Sequence, residues 1–444
     1  MFSDAFARLL STLLPPTLLH SSKNRFPMKK TFSFLAAALM LAACGKQGPL
    51  QVTVTNPLDI DRKGELVEVC MNKVIDQLKP SDTTDVIVLN EAGEQVPYQQ
   101  THDGKLIFPV EVAAGASAVY TIQTGVKQEE LFEMAVFGKK YPERVDDVAW
   151  ENDRTAYRTY GPALQANGER AFGYDVWLKR VPELVVEDRY EMELNPATKA
   201  QIDSLRRVGK GNEANALYQS VSYHVDHGNG LDCYKVGPTL GGGAAALLVD
   251  DAIVYPYCYV GEPEILDNGP LRFTVKLNYA PTAIKGDSAV VETRIISLDK
   301  GSQMNKTVIT YSGLTVATPV AAGIVIHPEN AEAYTTDADN GFITYTDLSD
   351  NVNNGNGEIY LGVVFPGEMK EAKPVLFTEE ESKTLRGGAS GHVLAVTEYQ
   401  PATEFTYYWG SGWNKYGFAD AAAWNTYVSE FAQKVRNPLT VKVN

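Results

Sequence analysis

The side chains best suited to proton transfer gather in one short stretch, Tyr223-His-Val-Asp-His-Gly-Asn-Gly-Leu-Asp-Cys-Tyr-Lys235. His224 and His227 lie three positions apart beside Asp226 and Asp232, and imidazole is the group that gains and loses a proton near neutral pH. Gly228 and Gly230 mark the stretch as a loop, where working residues held by a rigid scaffold concentrate. Tyr223 and Tyr234 are candidate acids or bases, and Lys235 a candidate neutraliser of a carboxylate. Two other readings fit the same pattern. His224, Asp226, His227 and Asp232 offer mixed nitrogen and oxygen ligands to a divalent metal, or the histidines serve backbone groups in a plain turn.

A second stretch, Pro142 to Gly161, is dense in charge and aromatic rings. Read as a strand from Asp153, it places Arg154, Ala156, Arg158 and Tyr160 on one face and Asp153, Thr155, Tyr157 and Thr159 on the other. Two guanidinium groups side by side would fix a carboxylate, and Trp150 would stack on a sugar ring. The competing reading is an internal ion network of Glu143, Asp146 and Asp147 with Arg144, Arg154 and Arg158. In Tyr174–Arg180 the alternation sets Asp175, Trp177 and Lys179 together, a face suited to a hydroxyl-rich or anionic ligand. Trp409 and Trp413, interleaved with glycine, read as a stacking platform. His392 after Gly387-Gly-Ala-Ser-Gly391 is a further candidate, whereas His327 before Pro328 reads as structural.

These residues sit in a chain of 444 with 40 basic and 55 acidic side chains, a net charge of −15. Nucleic acid is thereby disfavoured as a partner, since phosphate binding needs a basic face. Gly241-Gly-Gly243 lacks the Lys and Ser/Thr and the strand–helix setting of a phosphate loop, which argues against nucleotides. No CxxC spacing for zinc exists. Met28-Lys-Lys30, an apolar run from Thr31 to Met40 and Leu41-Ala-Ala-Cys44 read as a lipoprotein signal peptide over 28–44, with 1–27 a surplus start. Cys44 would carry the lipid, and membrane contact would be through that anchor alone. Gly45-Lys-Gln47 favours the periplasmic side, with the inner leaflet of the outer membrane as the expected location. Loss of 1–44 removes Asp4 and five basic residues and leaves −19. Of the remaining cysteines, Cys233 and Cys258 are free to pair in an oxidising compartment, though their apolar surroundings suit core thiols equally.

The elements are mostly short β-branched and aromatic runs bounded by Gly, Asn, Asp and Pro, so the expected class is all-β. Residues 49–125 read as a small β-sandwich, and 131–444 as a large supersandwich without internal repeats. Two helices interrupt it. One runs from Pro196 to about Tyr218 with Ile202, Leu205 and Val208 on one face and a break near Gly209 and Gly211. The other runs from Ala421 to Arg436, capped by Asp420 and stopped by Asn437-Pro438.

Three segments together resemble one family. Pro142-Glu-Arg through Tyr160-Gly-Pro162, Tyr223-His-Val-Asp-His-Gly228 through Lys235-Val-Gly237, and Tyr408-Trp-Gly-Ser-Gly-Trp413 are similar to a domain-of-unknown-function group of secreted Bacteroidetes lipoproteins. That group is associated with breakdown of unsaturated uronyl and pectin-type glycans, and its large domain resembles galactose-mutarotase supersandwiches. The resemblance implies a carbohydrate substrate. Lyase-type β-elimination is the expected reaction, with Arg154 and Arg158 on the carboxylate, His224 or His227 as base and Tyr223 or Tyr234 as acid. Trp150, Trp409 and Trp413 would line subsites. The alternatives are a glycan-binding lipoprotein without catalysis, a glycosidase using a pair among Asp153, Asp226 and Asp232, or an aldose-epimerase-like activity. No cofactor is demanded, and a divalent metal stays open.

Overall fold

The computed structural model describes residues 48–444, apart from 82–83 and 349–351. The surplus start, the signal segment and Cys44 lie outside the described residues. Residues Gln47–Asn444 form one compact unit. It is all-β, with antiparallel pairing throughout its five sheets.

The N-terminal sandwich packs two small sheets on a core of Leu50, Val52, Val54, Val67, Phe108, Val110 and Ile122. Alternation explains it: Leu50, Val52 and Val54 point inward from Leu50–Thr55 while their neighbours face out. Its edge is closed from the far end of the chain, because Thr440–Val443 pairs with Leu50–Thr55 in the register Val52↔Val443. The helix leading there, Ala421–Arg436, begins where expected, with the Asp420 carboxylate accepting from the Ala423 amide. The buried Arg62 guanidinium donates to the carbonyls of Lys434 and Asn437, taking up the orphan acceptors of the helix end.

The large body faces a nine-stranded sheet against a five-stranded one. The first runs Tyr259–Asn268, Arg272–Tyr279, Asp287–Asp299, Met304–Ser312, Phe405–Trp413, Glu358–Val364, Phe342–Leu348 and Tyr334–Asp337, with Thr282–Ile284 paired to Asp287–Asp299. The second runs Ala252–Ile253, Gly242–Val249, Thr318–Ile326, Gly391–Tyr399 and Glu371–Leu376. A third sheet, Gly230–Asp232, Asp175–Lys179, Ala156–Thr159, Asp147–Asn152 and Val136–Tyr141, lays one face on this core.

That third sheet is the platform of the site. Val148, Trp150, Tyr157, Val176, Leu178 and Leu231 point into the large core. The opposite face carries Asp147, Glu151, Arg158, Asp175, Trp177, Lys179 and Asp232, and all seven are buried. Their roof is Val186–Leu194, the first of three inserted helices, with Pro196–Arg207 packed against it and Gly211–Gln219 packed against Pro196–Arg207 in turn. The break near Gly209 is real, since Gly209 has φ +77°. Val208 is 67% exposed instead of sharing the Ile202 face, because the preceding helix ends at Arg207. Four described α-helices lie outside the two expected: Met71–Leu78, Pro162–Ala166, Val186–Leu194 and Glu379–Leu385. The first carries Met71, Val74, Ile75 and Leu78 at helical spacing. No described helix is long and apolar enough to cross a membrane.

Candidate functional site: a roofed charged face with an exposed histidine at its rim

The sheet face is held by reciprocal charge. Arg158 stands across from Asp175 in the antiparallel register, and Trp177 stands between Ala156 and Asp232 on the neighbouring strands. The Arg158 guanidinium is hydrogen-bonded to Asp175 and, at 2.9 Å, to Asp232, with the Tyr160 hydroxyl 2.9 Å from Asp175. Asp147 Oδ2 lies 3.7 Å from Arg158 Nη1 and accepts from the Tyr190 hydroxyl at 3.2 Å. Three carboxyls around one guanidinium cannot all be comfortable as anions. Burial, with Asp175 nearby, pushes Asp147 up to about 7 and Asp232 up to about 6, against the pull of Arg158.

Glu151 anchors the roof. Its carboxylate takes Lys179 Nζ at 2.7 Å and the amides of Val185 and Val186, so it caps the start of Val186–Leu194. Further along, Glu193 accepts from the Ser222 hydroxyl and the Tyr223 amide. This brings the Tyr223 ring down onto Trp177, with centroids 4.9 Å apart. The network surfaces here. Arg144 Nε donates to the Tyr223 hydroxyl at 2.9 Å, and the His224 ring lies 4.5 Å from the Tyr223 ring. His224 is 48% exposed in its side chain, whereas Asp232 behind it is 2% exposed. His224 Nδ1 is 2.9 Å from the Asp232 carbonyl, an acceptor only, so Nδ1 carries the hydrogen and Nε2 the lone pair.

His224, Tyr223, Asp232 and Arg158 therefore do share one neighbourhood. The remaining candidates require correction. Arg154 is not beside Arg158: Asn152 Oδ1 accepts from the Arg154 and Thr155 amides, which makes Asn152–Thr155 a tight turn and starts the strand only at Ala156. Asp153 in that turn accepts from the Gly301 amide. Arg158 and Tyr160 are buried and turned to internal partners, and Lys179 is paired with Glu151. Trp177 is buried under the helical roof.

Trp150 and Trp409 are buried core side chains and not subsite walls, whereas Trp413 borders a small cavity of about 10 Å³ together with Arg154 and Lys179. Trp150 stacks on Phe273 and meets Trp409 edge-on, Tyr174 stacks on Trp409 at 4.0 Å, and each indole N–H donates inside the protein. The glycine-rich run Tyr407–Phe418 is mostly strand, with Gly410 and Gly412 making room for packed neighbours. Tyr234 is buried, its hydroxyl unpartnered and its phenol pushed well up by burial. Lys235 donates outward to the Gly387 carbonyl. His392 is fully buried, accepting from the Leu240 amide at Nε2; burial holds it down to about 3.

The metal set disperses for equally local reasons. Asp226 accepts from the Gly228 and Gly230 amides and from Arg180, and His227 Nε2 donates to the Ser222 carbonyl. Among the described residues no group of three or more His, Cys, Asp or Glu is placed to hold a metal ion. Among the described residues Cys233 and Cys258 are not joined to each other.

Of the cluster, only Tyr190 goes unnamed in the sequence motifs: Asp147 and Arg144 take the places expected of them in an ion network with Arg158, and Asp175 joins that network instead of facing a ligand. A hairpin centred on Asp153 and Arg154 sets the Asp147 strand beside Arg158, whereas Asp175 comes from the next strand, Asp175–Lys179, on the other side. A further pair was passed over as structural: His327 Nδ1 and Asp347 Oδ2 are 2.8 Å apart and buried, and the Tyr234 ring is 6.2 Å from that imidazole.

An all-β scaffold with a charged sheet face under a helical roof defines the class. Within it, the chain belongs to the family described as Domain of unknown function (DUF4861), whose model matches residues 54–441. It is 25% identical over 431 residues to "Uncharacterized protein P7" of Formosa agariphila, covering 92% of this chain and 98% of that one. Among solved structures it is similar to a protein in glycosyl hydrolase family 38 from Enterococcus faecalis (9% identity, TM-score 0.45) and to an alpha-mannosidase from Enterococcus faecalis V583 (10%, TM-score 0.40). Each likeness covers 89% of this chain, which spans about half the length of those proteins, 47% and 46%.

Proposed function

We propose that the protein is a carbohydrate-active enzyme that cleaves a uronate-bearing glycan by β-elimination, held at the periplasmic side of a membrane by a lipid on Cys44. The observation that carries the reading is the exposed imidazole of His224, fixed through Nδ1 with Nε2 basic, against a phenol that Arg144 holds. The resemblance of the segments around 142–162 and 223–237 to those of glycan-degrading lipoproteins supports the substrate class.

Elimination requires three things: charge to stabilise the C6 carboxylate, a base for the C5 proton and an acid for the leaving oxygen at C4. Arg144 takes the first role in place of the Arg154–Arg158 pair, being at the rim and 22% exposed in its side chain. His224 Nε2 accepts the C5 proton. The electron pair forms the C4–C5 double bond, and the C4–O4 bond breaks. Tyr223 gives its proton to O4. Burial raises the phenol above its ordinary value against the pull of Arg158 and Arg144, so it enters the reaction protonated. Asp147, Asp175 and Asp232 around Arg158 set the position of these three groups.

Incubation of the protein with pectin-type and other acidic oligosaccharides tests the reading. The ultraviolet band of an unsaturated uronate should grow, and His224→Gln should abolish the growth while leaving ligand binding. New reducing ends without that band would replace elimination by hydrolysis. Binding without any product would leave a sugar-holding lipoprotein.

A further inference from the structure

A second site lies away from this rim, between the two large sheets. A cavity of about 90 Å³ opens where the segment after Ala252–Ile253 crosses to Tyr259–Asn268. Tyr255, Tyr257 and Tyr279 form walls, and Glu292, Tyr311 and Cys258 border it. The Tyr311 hydroxyl is buried beside the Glu292 carboxylate without a well-formed hydrogen bond. An unmade hydrogen bond on a buried hydroxyl is costly, so such a group is a standing donor for whatever enters.

The charges around the cavity discriminate between ligands. The Arg294 guanidinium is paired with Glu292 and lies 4.7 Å from the Tyr279 ring centroid, while that of Arg386 lies 4.1 Å from the Tyr255 centroid. A cationic ligand would find the carboxylate neutralised and the rings already serving cations. An anion would find no uncommitted cation, because Arg294 is held by Glu292, the Tyr174 hydroxyl and the Ala245 carbonyl, and Arg386 by Glu381 and the Pro238 carbonyl. A neutral ring bearing hydroxyls meets neither obstacle: its C–H face lies on tyrosine, one hydroxyl donates to Glu292 and another accepts from Tyr311.

We infer that this cavity is a subsite for one neutral monosaccharide unit, separate from the His224 rim. The choice of a sugar ring rests on the glycan reading above, so the test reads binding apart from turnover. Cys258 reports occupancy. Iodoacetamide alkylation of Cys258, followed by peptide mapping with the exposed Cys70 as reference, is timed with methyl β-D-galactoside, methyl α-L-rhamnoside or methyl β-D-xyloside present. At least one should slow Cys258 about threefold or more without slowing Cys70, and galacturonate and tetramethylammonium should not. Tyr311→Phe, which removes one oxygen, and Tyr257→Ala, at a position 61% exposed, should each weaken that protection about three- to tenfold. His224→Gln should leave protection intact even where it ends turnover. Protection by none of the glycosides, equal protection by either charged probe, or undiminished protection in both tyrosine variants would overturn the inference.

Discussion

His392 offers a measurement that separates a catalytic histidine from a structural one. The imidazole is fully enclosed; its Nε2 accepts from the Leu240 amide and its Nδ1 has no partner. Burial, with Arg386 and His327 adding repulsion, lowers it from 6.5 to about 3. A depressed histidine stabilises the fold above its ordinary value, and that stability is lost as the pH falls toward the folded one, because the unfolded chain takes up the proton first. Near pH 4.5, about two units below 6.5, the loss is about 2–3 kcal/mol at 1.36 kcal/mol per unit, and near pH 7 it is almost nil. Gln at 392 places an amide oxygen about where Nε2 accepts and does not titrate. Urea unfolding of the wild type and His392→Gln at the two pH values checks this. The drop in stability from pH 7 to 4.5 should be smaller in the variant by about 2–3 kcal/mol. Asp147 works in the opposite direction, favouring the fold at low pH and losing that contribution as the pH rises toward about 7, but it is common to both proteins and cancels. Equal pH slopes would show that His392 is accessible to solvent and protons, and the structural assignment would fail.

Three further outcomes follow from the site. Arg158→Met removes the one cation shared by Asp147, Asp175 and Asp232 and should cost about 3–5 kcal/mol in urea unfolding, since it strands buried carboxyls. Trp409→Ala should destabilise by about 3–5 kcal/mol and, as a core change, should show up in melting temperature before sugar binding. Arg144→Ala, at the rim, should leave the melting temperature within a few degrees but lower kcat/KM on a uronate substrate by about 10²-fold or more. A neutral analogue should lose far less.

The fold class was legible because alternation carries it. Leu50, Val52 and Val54 announce a half-buried strand, and Asp420 with Asn437-Pro438 brackets the last helix to the residue. The site was legible only in part. The Tyr223–His224 loop and Arg158 were visible as chemistry, and both lie in the cluster. Arg154 was misplaced because a one-turn error in where the strand starts changes its companions: the Asn152 side chain closes a turn that a strand reading runs straight through. The tryptophans misled for another reason. Indoles beside glycine look like a ligand platform, yet Gly410 and Gly412 are small because the Gln303 backbone and the Phe418 ring press against them. Asp347 is twenty residues from His327, on another strand, and nothing local couples them.

The arrangement also explains why so much charge is buried. A sheet face carrying Asp147, Glu151, Arg158, Asp175, Lys179 and Asp232 would be well solvated if left open. Roofing it costs desolvation of every group, which paired hydrogen bonds offset only when each partner is in place. Glu151 ties roof to sheet, because its one carboxylate serves both Lys179 and the first amides of the roofing helix. Glu151→Gln should therefore do two things at once. It leaves Lys179, which burial already lowers, without a counter-charge, and it loosens Val186–Leu194 and with it the Glu193 contacts that seat Tyr223. The expected result is a loss of about 3–5 kcal/mol together with faster amide exchange across 186–194 and, in the same variant, a larger fall in kcat than in binding. If turnover persisted while exchange rose, the roof would be dispensable and the His224–Tyr223 pair would owe its geometry to the 223–232 loop alone.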